Sequence, residues 1–259
     1  MTTLLPPNLN DQWHMPAGNG YLDSGSIDLW RIDLDAAGVS ANALRGQLSH
    51  DELQRAEALH NELGRARFIA SHVALRRILA SYLQALPASL VITPGPHGKP
   101  GLASPQIQPP LLFNLAHSEG LALCAIAQDE VGVDVEKMRP LAEIEEGSSQ
   151  MLSREEIASL DALSTEDRRD ALHMMWSCKE AYAKATGLGP SLDLPSVTIL
   201  SHLPAHPSTW FALDSAADAA KWSAIRLVPT EGFVGAVVVR GEPLAMRLRL
   251  FDPAWFRWD

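Results

Sequence analysis

Gln128-Asp129-Glu130-Val131-Gly132-Val133-Asp134-Val135-Glu136 is the stretch that divides this chain and sets its fold. Gln128-Asp129-Glu130 is a polar break between two apolar runs of strand length, Leu121 to Ala127 before it and Val131 to Glu136 after it. From Val131 the pattern restarts. A strand is followed by helices near Ser153 to Leu163 and Glu166 to Thr186, then by strands around Val197, Trp210, Ala224 and Phe233 to Val239. Helices and strands interleaved on both sides of the break predict an α+β fold in two halves, 1–127 and 128–259.

Upstream of the break, residues 1 to 25 are rich in Pro, Gly and Asn and show no periodicity. Ile27 to Leu34 alternates apolar with polar, so the first core element is expected to begin near Ile27. Ser49 opens a helical segment through Leu59. A second runs from Arg65 to Leu83, with Phe68, Leu75, Ile78, Leu79 and Leu83 near helical spacing and Arg67, Arg76 and Arg77 decorating it. Pro87 to Pro110 is punctuated by Gly and Pro around a short apolar piece at Leu90 to Thr93. Leu111 to Asn114 and Leu121 to Ala127 read as strands joined by a turn through Ser118, Glu119 and Gly120.

With 259 residues, 46% of them hydrophobic and 20% charged, the chain can bury an ordinary core as one large or two modest domains. A net charge of −10 argues against a broad nucleic-acid footprint, which needs clustered Lys and Arg. Cys124 and Cys178 form no C-x-x-C pair and suit a reducing compartment. Met1 to Gln12 lacks a basic segment followed by an apolar one, and no run approaches the ~18 apolar residues of a spanning helix. A cytoplasmic protein is the expectation. Glu143, Glu145 and Glu146 beside a Gly-Ser-Ser loop read as solvated surface.

The period of two across Val131 to Glu136 puts the valines on one face and Asp134 and Glu136 together on the other. Neighbouring carboxylates repel, so they need a wet edge or a compensating cation such as Mg2+. On Trp176-Ser177-Cys178-Lys179-Glu180-Ala181-Tyr182-Ala183-Lys184, a helix that Gly187 can end, Trp176, Glu180 and Lys184 share a stripe. Glu180 and Lys184 alone would be an ordinary surface ion pair. If Glu180 instead faces Asp134 and Glu136, three carboxylates converge beside Lys179 and Lys184, an arrangement suited to phosphoryl transfer. Phe113-Asn114-Leu115-Ala116-His117-Ser118 brings a histidine into a turn. His97-Gly98-Lys99-Pro100-Gly101 is a loop open to close approach, with a lysine for phosphate.

In this order, G-K-P, F-N-x-x-H, G-V-D-V-E and W-x-x-K-E-A-x-x-K resemble the Sfp-type 4′-phosphopantetheinyl transferase family, most sharply from Gly98 to Gly187. The resemblance implies a pseudo-dimer of two similar α/β halves with the active site in the cleft between them. Residues 1–127 would contact the phosphates and adenine of coenzyme A, and 128–259 would bind Mg2+ and carry catalysis. Asp134, Glu136 and Glu180 look like the metal ligands, with Glu180 and Lys184 catalytic. Lys179, Lys99 and His117 would hold the coenzyme A phosphates, Gly98 and Pro100 would shape the pocket, and Arg55 and Arg67 would meet the 3′-phosphoadenosine. One departure is Ala116, where the family commonly has serine before the histidine.

The implied reaction moves phosphopantetheine from coenzyme A to a serine of an apo acyl, peptidyl or aryl carrier protein and releases 3′,5′-ADP. Because carriers are commonly acidic, docking to a chain of net charge −10 should rest on apolar contacts and a local basic patch. Two halves that make their own cleft need no second subunit, so a monomer is expected. Two rivals are a non-catalytic coenzyme A or carrier-binding module of the same fold, and another Mg2+-dependent phosphotransferase. The second would have to work without a Walker-type glycine loop.

Overall fold

The structure is a computed structural model, and it describes residues 6, 8–16, 20–36, 40–103, 110–148, 150–199, 209–213 and 220–257. In chain order the regular elements are β1 (Ser26–Asp33), α1 (Ala41–Leu44), α2 (His50–Glu57), α3 (Glu62–Leu83), β2 (Ile92–Pro94), β3 (Pro100–Leu102), β4 (Leu112–Ser118) and β5 (Leu121–Ala127). The second half continues with β6 (Val131–Lys137), α4 (Leu141–Ser148), α5 (Arg154–Leu160), α6 (Thr165–Thr186), β7 (Phe211–Leu213), β8 (Trp222–Leu227), β9 (Phe233–Arg240) and β10 (Ala245–Leu250). The α+β class expected from sequence is the one observed.

Four layers follow from the alternation of side chains along the strands. One four-stranded sheet runs β10-β1-β5-β4 and the other β6-β9-β8-β7. The first sheet presents Trp30, Ile32, Cys124 and Ile126 to Val73, Ile78 and Leu79 of α3. Its opposite face, with Leu29, Leu123 and Ala125, meets Val131, Val133, Val135 and Val237 of the second sheet. The second sheet then covers α6 with Ala224, Ala236 and Val238 against Cys178, Ala181 and Tyr182. A strand sandwiched on both faces has no polar side, which is why every residue of β5 is apolar and buried.

The two long helices are delimited by their ends. Asn61 accepts from Leu63 and Gly64 at the start of α3, and Ser164 caps α6. Gly187 ends α6 with φ +70°, a left-handed conformation that glycine adopts without steric cost. Gly132 lets α6 lie directly on β6: a Cβ there would stand 2.0 Å from the carbonyl oxygen of Ala181 and 2.5 Å from the amide of Ala185. That close approach fixes the register between the strand and the helix that bear the site.

Several expectations are corrected. The division at 127/128 does not hold for the C-terminal strand, because β10 returns to the first sheet and pairs in parallel with β1. Arg247 of β10 donates to buried Asp28 of β1 at 2.5 Å, and Tyr82 donates to the same carboxylate. The N-terminal stretch enters the core before Ile27: Leu9, Trp13 and Leu22 are buried, and the Trp13 indole donates to the carbonyl of Pro229 at 2.9 Å. Val197 is a single bridge residue after a 3-10 turn, Leu194–Ser196, and not part of a strand. The acidic cluster, by contrast, is surface as expected: it lies on α4 with Glu143 and Glu146 exposed and Glu145 paired to Arg168 at 2.6 Å. Among the described residues no helix is long and apolar enough to cross a membrane.

Candidate active site

On β6 the face opposite the valines points at α6, and there Asp134 is buried beside Lys184. The Lys184 ammonium donates to Asp134 Oδ1 at 2.6 Å, while Asp134 Oδ2 is buried and accepts no well-formed hydrogen bond. Burial pushes the Asp134 carboxyl above the usual carboxylate range, and the Lys184 charge works against that. Two residues along the same face, Glu136 accepts from the Ser118 hydroxyl at 3.2 Å. Its pKa is pushed up to about 7 by burial and by the neighbouring Asp134 charge. Burial raises Glu180 as well, with Lys184 opposing and Asp134 adding to the rise.

The carboxylates of β6 and α6 are therefore near enough to feel one another, and Lys184 turns to Asp134 across the interface instead of pairing simply along its own helix. Among the described residues, however, no three His, Cys, Asp or Glu side chains are gathered tightly enough to cage a metal ion. The tight three-carboxylate cluster expected from sequence is thus looser than expected, and the Lys184 ammonium supplies the counter-charge at Asp134. The donor chemistry still fits a hard divalent cation. The buried Asp134 carboxylate, with Ser177 beside it, and two carboxyls raised by burial and by Asp134 are hard oxygen donors that a Mg2+ ion would relieve.

Beside these residues lies a cavity of about 360 Å³ whose lining includes Arg55, Phe68, His72, Gly98, Pro100 and His117. His72 stacks on Phe68 at 3.9 Å between ring centroids, and the Arg55 guanidinium sits 5.4 Å from the centre of the same ring. Burial holds the His72 imidazole down at about 4, so it is neutral near pH 7. His117 lies in β4, which extends through Ser118, and not in the turn that the sequence suggests. Its pKa is lowered first by burial and then by Lys184 and Arg67, which places it under the influence of cations from both halves.

Four of the residues expected around coenzyme A, Arg55, Gly98, Pro100 and His117, therefore share one cavity. Three others do not. Arg67 is held in a two-pronged pair with Asp35, at 2.8 and 2.5 Å. Lys99 turns away from the cavity to Glu130 at 2.5 Å and the carbonyl of Ala185 at 2.9 Å. Lys179 is fully buried, and its three donor positions are taken by Glu156, the carbonyl of Met151 and the carbonyl of Leu194, at 2.7, 2.7 and 3.0 Å. It is not available to a phosphate. The reason is helical geometry: adjacent residues point about 100° apart, so Lys179 faces the core when Glu180 faces the site.

Two contributors are not singled out by the sequence reading. His72 follows Phe68 by four residues, a spacing that stacks side chains on one helix face and so could have signalled it. Ser118, read only as a turn residue, both donates to Glu136 and accepts from the Lys137 amide at 3.1 Å.

A sequence profile described as the 4′-phosphopantetheinyl transferase superfamily matches residues 130–238. The chain is 35% identical over 235 residues to the 4′-phosphopantetheinyl transferase HetI of Nostoc sp. (strain PCC 7120), covering 90% of this chain and 95% of that protein. It is 32% identical over 106 residues to the 4′-phosphopantetheinyl transferase Sfp of Bacillus subtilis (strain 168), which is 41% of this chain and 45% of that one. The 4′-phosphopantetheinyl transferase AcpT of Escherichia coli (strain K12) matches at 35% over 109 residues, 42% of this chain and 54% of that one.

Proposed function

This chain belongs to the 4′-phosphopantetheinyl transferase superfamily, and we propose that it transfers the 4′-phosphopantetheine arm of coenzyme A to a serine of an acyl, peptidyl or aryl carrier protein, releasing 3′,5′-ADP. The observation that carries this reading is the juxtaposition of Asp134, Glu136, Glu180 and Lys184 across the β6–α6 interface. The cavity lined by Arg55 and His117 lies beside it, and His117 feels the charge of Lys184. A buried carboxylate paired to a partly exposed lysine, within electrostatic reach of a histidine that lines the cavity, favours a reactive site over a binding module.

Asp134, Glu136 and Glu180 are the residues that would hold Mg2+, whose chemistry there is to offset the charge of the coenzyme A pyrophosphate. Glu180, raised above the usual range, is suited to accept the serine proton, directly or through water. The serine oxygen then bonds to the β-phosphorus in line as the bond to the 3′,5′-ADP oxygen breaks. Lys184, already oriented by Asp134, offsets the charge gathering on that departing group. Arg55 and His117 are the groups of the cavity fitted to the phosphates and Phe68 with His72 to a flat apolar surface of the ligand. All of these residues come from one chain, so a monomer suffices.

The test is incubation of the purified protein with Mg2+, coenzyme A and a panel of apo carriers. Carrier mass should rise by one phosphopantetheine with 3′,5′-ADP released in equal amount. Coenzyme A binding without any mass gain across fatty-acid, polyketide and nonribosomal-peptide carriers would favour the binding-module reading.

A further inference from the structure

Lys99 sits on the β2–β3 hairpin, which is a wall of the ligand cavity through Ile92, Thr93, Pro94, Gly98 and Pro100. Its ammonium has two partners, and both belong to the second half. Glu130 Oε2, at 2.5 Å, lies one residue before β6, the strand of Asp134 and Glu136. The carbonyl of Ala185, at 2.9 Å, lies one residue after Lys184 on α6, the helix of Glu180. That carbonyl is among the last of its helix, whose oxygens lack amide partners of their own and carry the negative end of the helix dipole.

The fit around this contact is close. The Lys99 side chain is only 18% exposed, and a Cβ at Gly187 would stand 3.6 Å from Lys99 Cδ. The hairpin turn itself is shaped by Gly98 at φ +87°, and the amide of Gly95 donates to the carbonyl of Lys99 at 2.8 Å. One cation therefore joins the cavity wall to the roots of both elements that bear the reactive cluster.

We infer that Lys99 is a positioning residue, a clamp that sets the distance between the ligand cavity and the β6–α6 cluster, and is not a contact to the coenzyme A phosphates. The inference rests on the transfer reaction proposed above, but its geometry stands independently. Displacing bound groups by about 1 Å can cost up to ~100-fold in rate, so loss of a clamp should appear in turnover more than in affinity.

The experiment compares the full-length protein with Lys99→Met, which keeps the aliphatic stem, Lys99→Arg, Glu130→Gln and the Lys99→Met/Glu130→Gln pair. Steady-state transfer to an apo carrier should show kcat of Lys99→Met reduced by about tenfold or more while KM for coenzyme A stays within about twofold. Lys99→Arg should recover most of the rate, and the double variant should be no slower than Lys99→Met, since both changes break one contact. A KM raised tenfold with kcat intact would overturn the inference in favour of a phosphate contact. Additive losses in the double variant would overturn it too.

Hydrogen exchange supplies a readout that does not depend on turnover. Amides of the hairpin at Gly95 and Gly98 and of the last turn of α6 should exchange about tenfold faster in Lys99→Met and in Glu130→Gln than in the wild type or Lys99→Arg. Wild-type exchange in Lys99→Met would overturn the clamp even if no carrier accepts the arm, whereas faster exchange with an inactive wild type would leave the clamp standing and sink only the reaction.

Discussion

The Lys184 ammonium and the Asp134 carboxylate meet at 2.6 Å, yet they are unequally enclosed: the lysine side chain is 31% exposed and the aspartate side chain 4%. The aspartate is thus the fixed member, locked between β6 and α6. The lysine retains a path to solvent. Their contact holds a cation close enough to the cavity histidine His117 to lower its pKa.

Replacing Lys184 by Met should remove the counter-charge from a buried carboxylate and lower stability by about 1–3 kcal/mol. The sign of the pH dependence follows from Asp134. Its folded pKa already lies above the unfolded value and should rise further without Lys184, so stability is lost as pH rises through the folded pKa. Urea midpoints of Lys184→Met should therefore fall further below wild type at pH 8 than at pH 5. Equal midpoints for the two proteins at both pH values would show that the pair does not form.

Lys179 separates two readings of the same motif. Breaking its buried pair with Glu156 by Lys179→Met should cost about 3–5 kcal/mol, because Glu156 would be left enclosed and unpaired. Lys179→Met/Glu156→Gln should regain part of that loss, since glutamine preserves the capping geometry of Ser153. The affinity of the folded protein for coenzyme A, measured by calorimetry, should be unchanged. A stable Lys179→Met protein that no longer binds coenzyme A would restore the phosphate role.

His72 sets an acid limit. Its folded pKa, about 4, lies below the ordinary imidazole value of 6.5, so its contribution to stability is complete above about pH 6.5 and is lost as pH falls through 4. His72→Gln should flatten the stability profile across that window. In the wild type, the His72 imidazole should remain neutral by NMR at pH 5.5. Protonation there with a pKa near 6.5 would mean that the stacked, buried position is not occupied.

How much of this was legible in the sequence depends on how local each feature is. The valine alternation of β6 predicts correctly which face carries Asp134 and Glu136, because a strand's side-chain period needs no tertiary information. The stripe of Glu180 and Lys184 on α6 and the end of that helix at Gly187 are legible for the same reason. The inward direction of Lys179 is not legible, because a motif lists neighbours in sequence without their directions around the helix. The role of β10 was illegible: its parallel pairing with β1 and the Arg247–Asp28 contact join residues at opposite ends of the chain. The Lys99 contacts are hidden likewise, since Glu130 and Ala185 come from two separate elements.

The most direct measurement is a single-turnover comparison of the wild type with Glu180→Gln, following intact carrier mass with coenzyme A and Mg2+ saturating and coenzyme A affinity determined in parallel. If the β6–α6 cluster performs the transfer, Glu180→Gln should bind coenzyme A within about threefold of wild type while the mass gain slows by at least ~100-fold, the scale of losing a proton acceptor. A Glu180→Gln protein that loads carrier at the wild-type rate would show that the reaction is carried elsewhere.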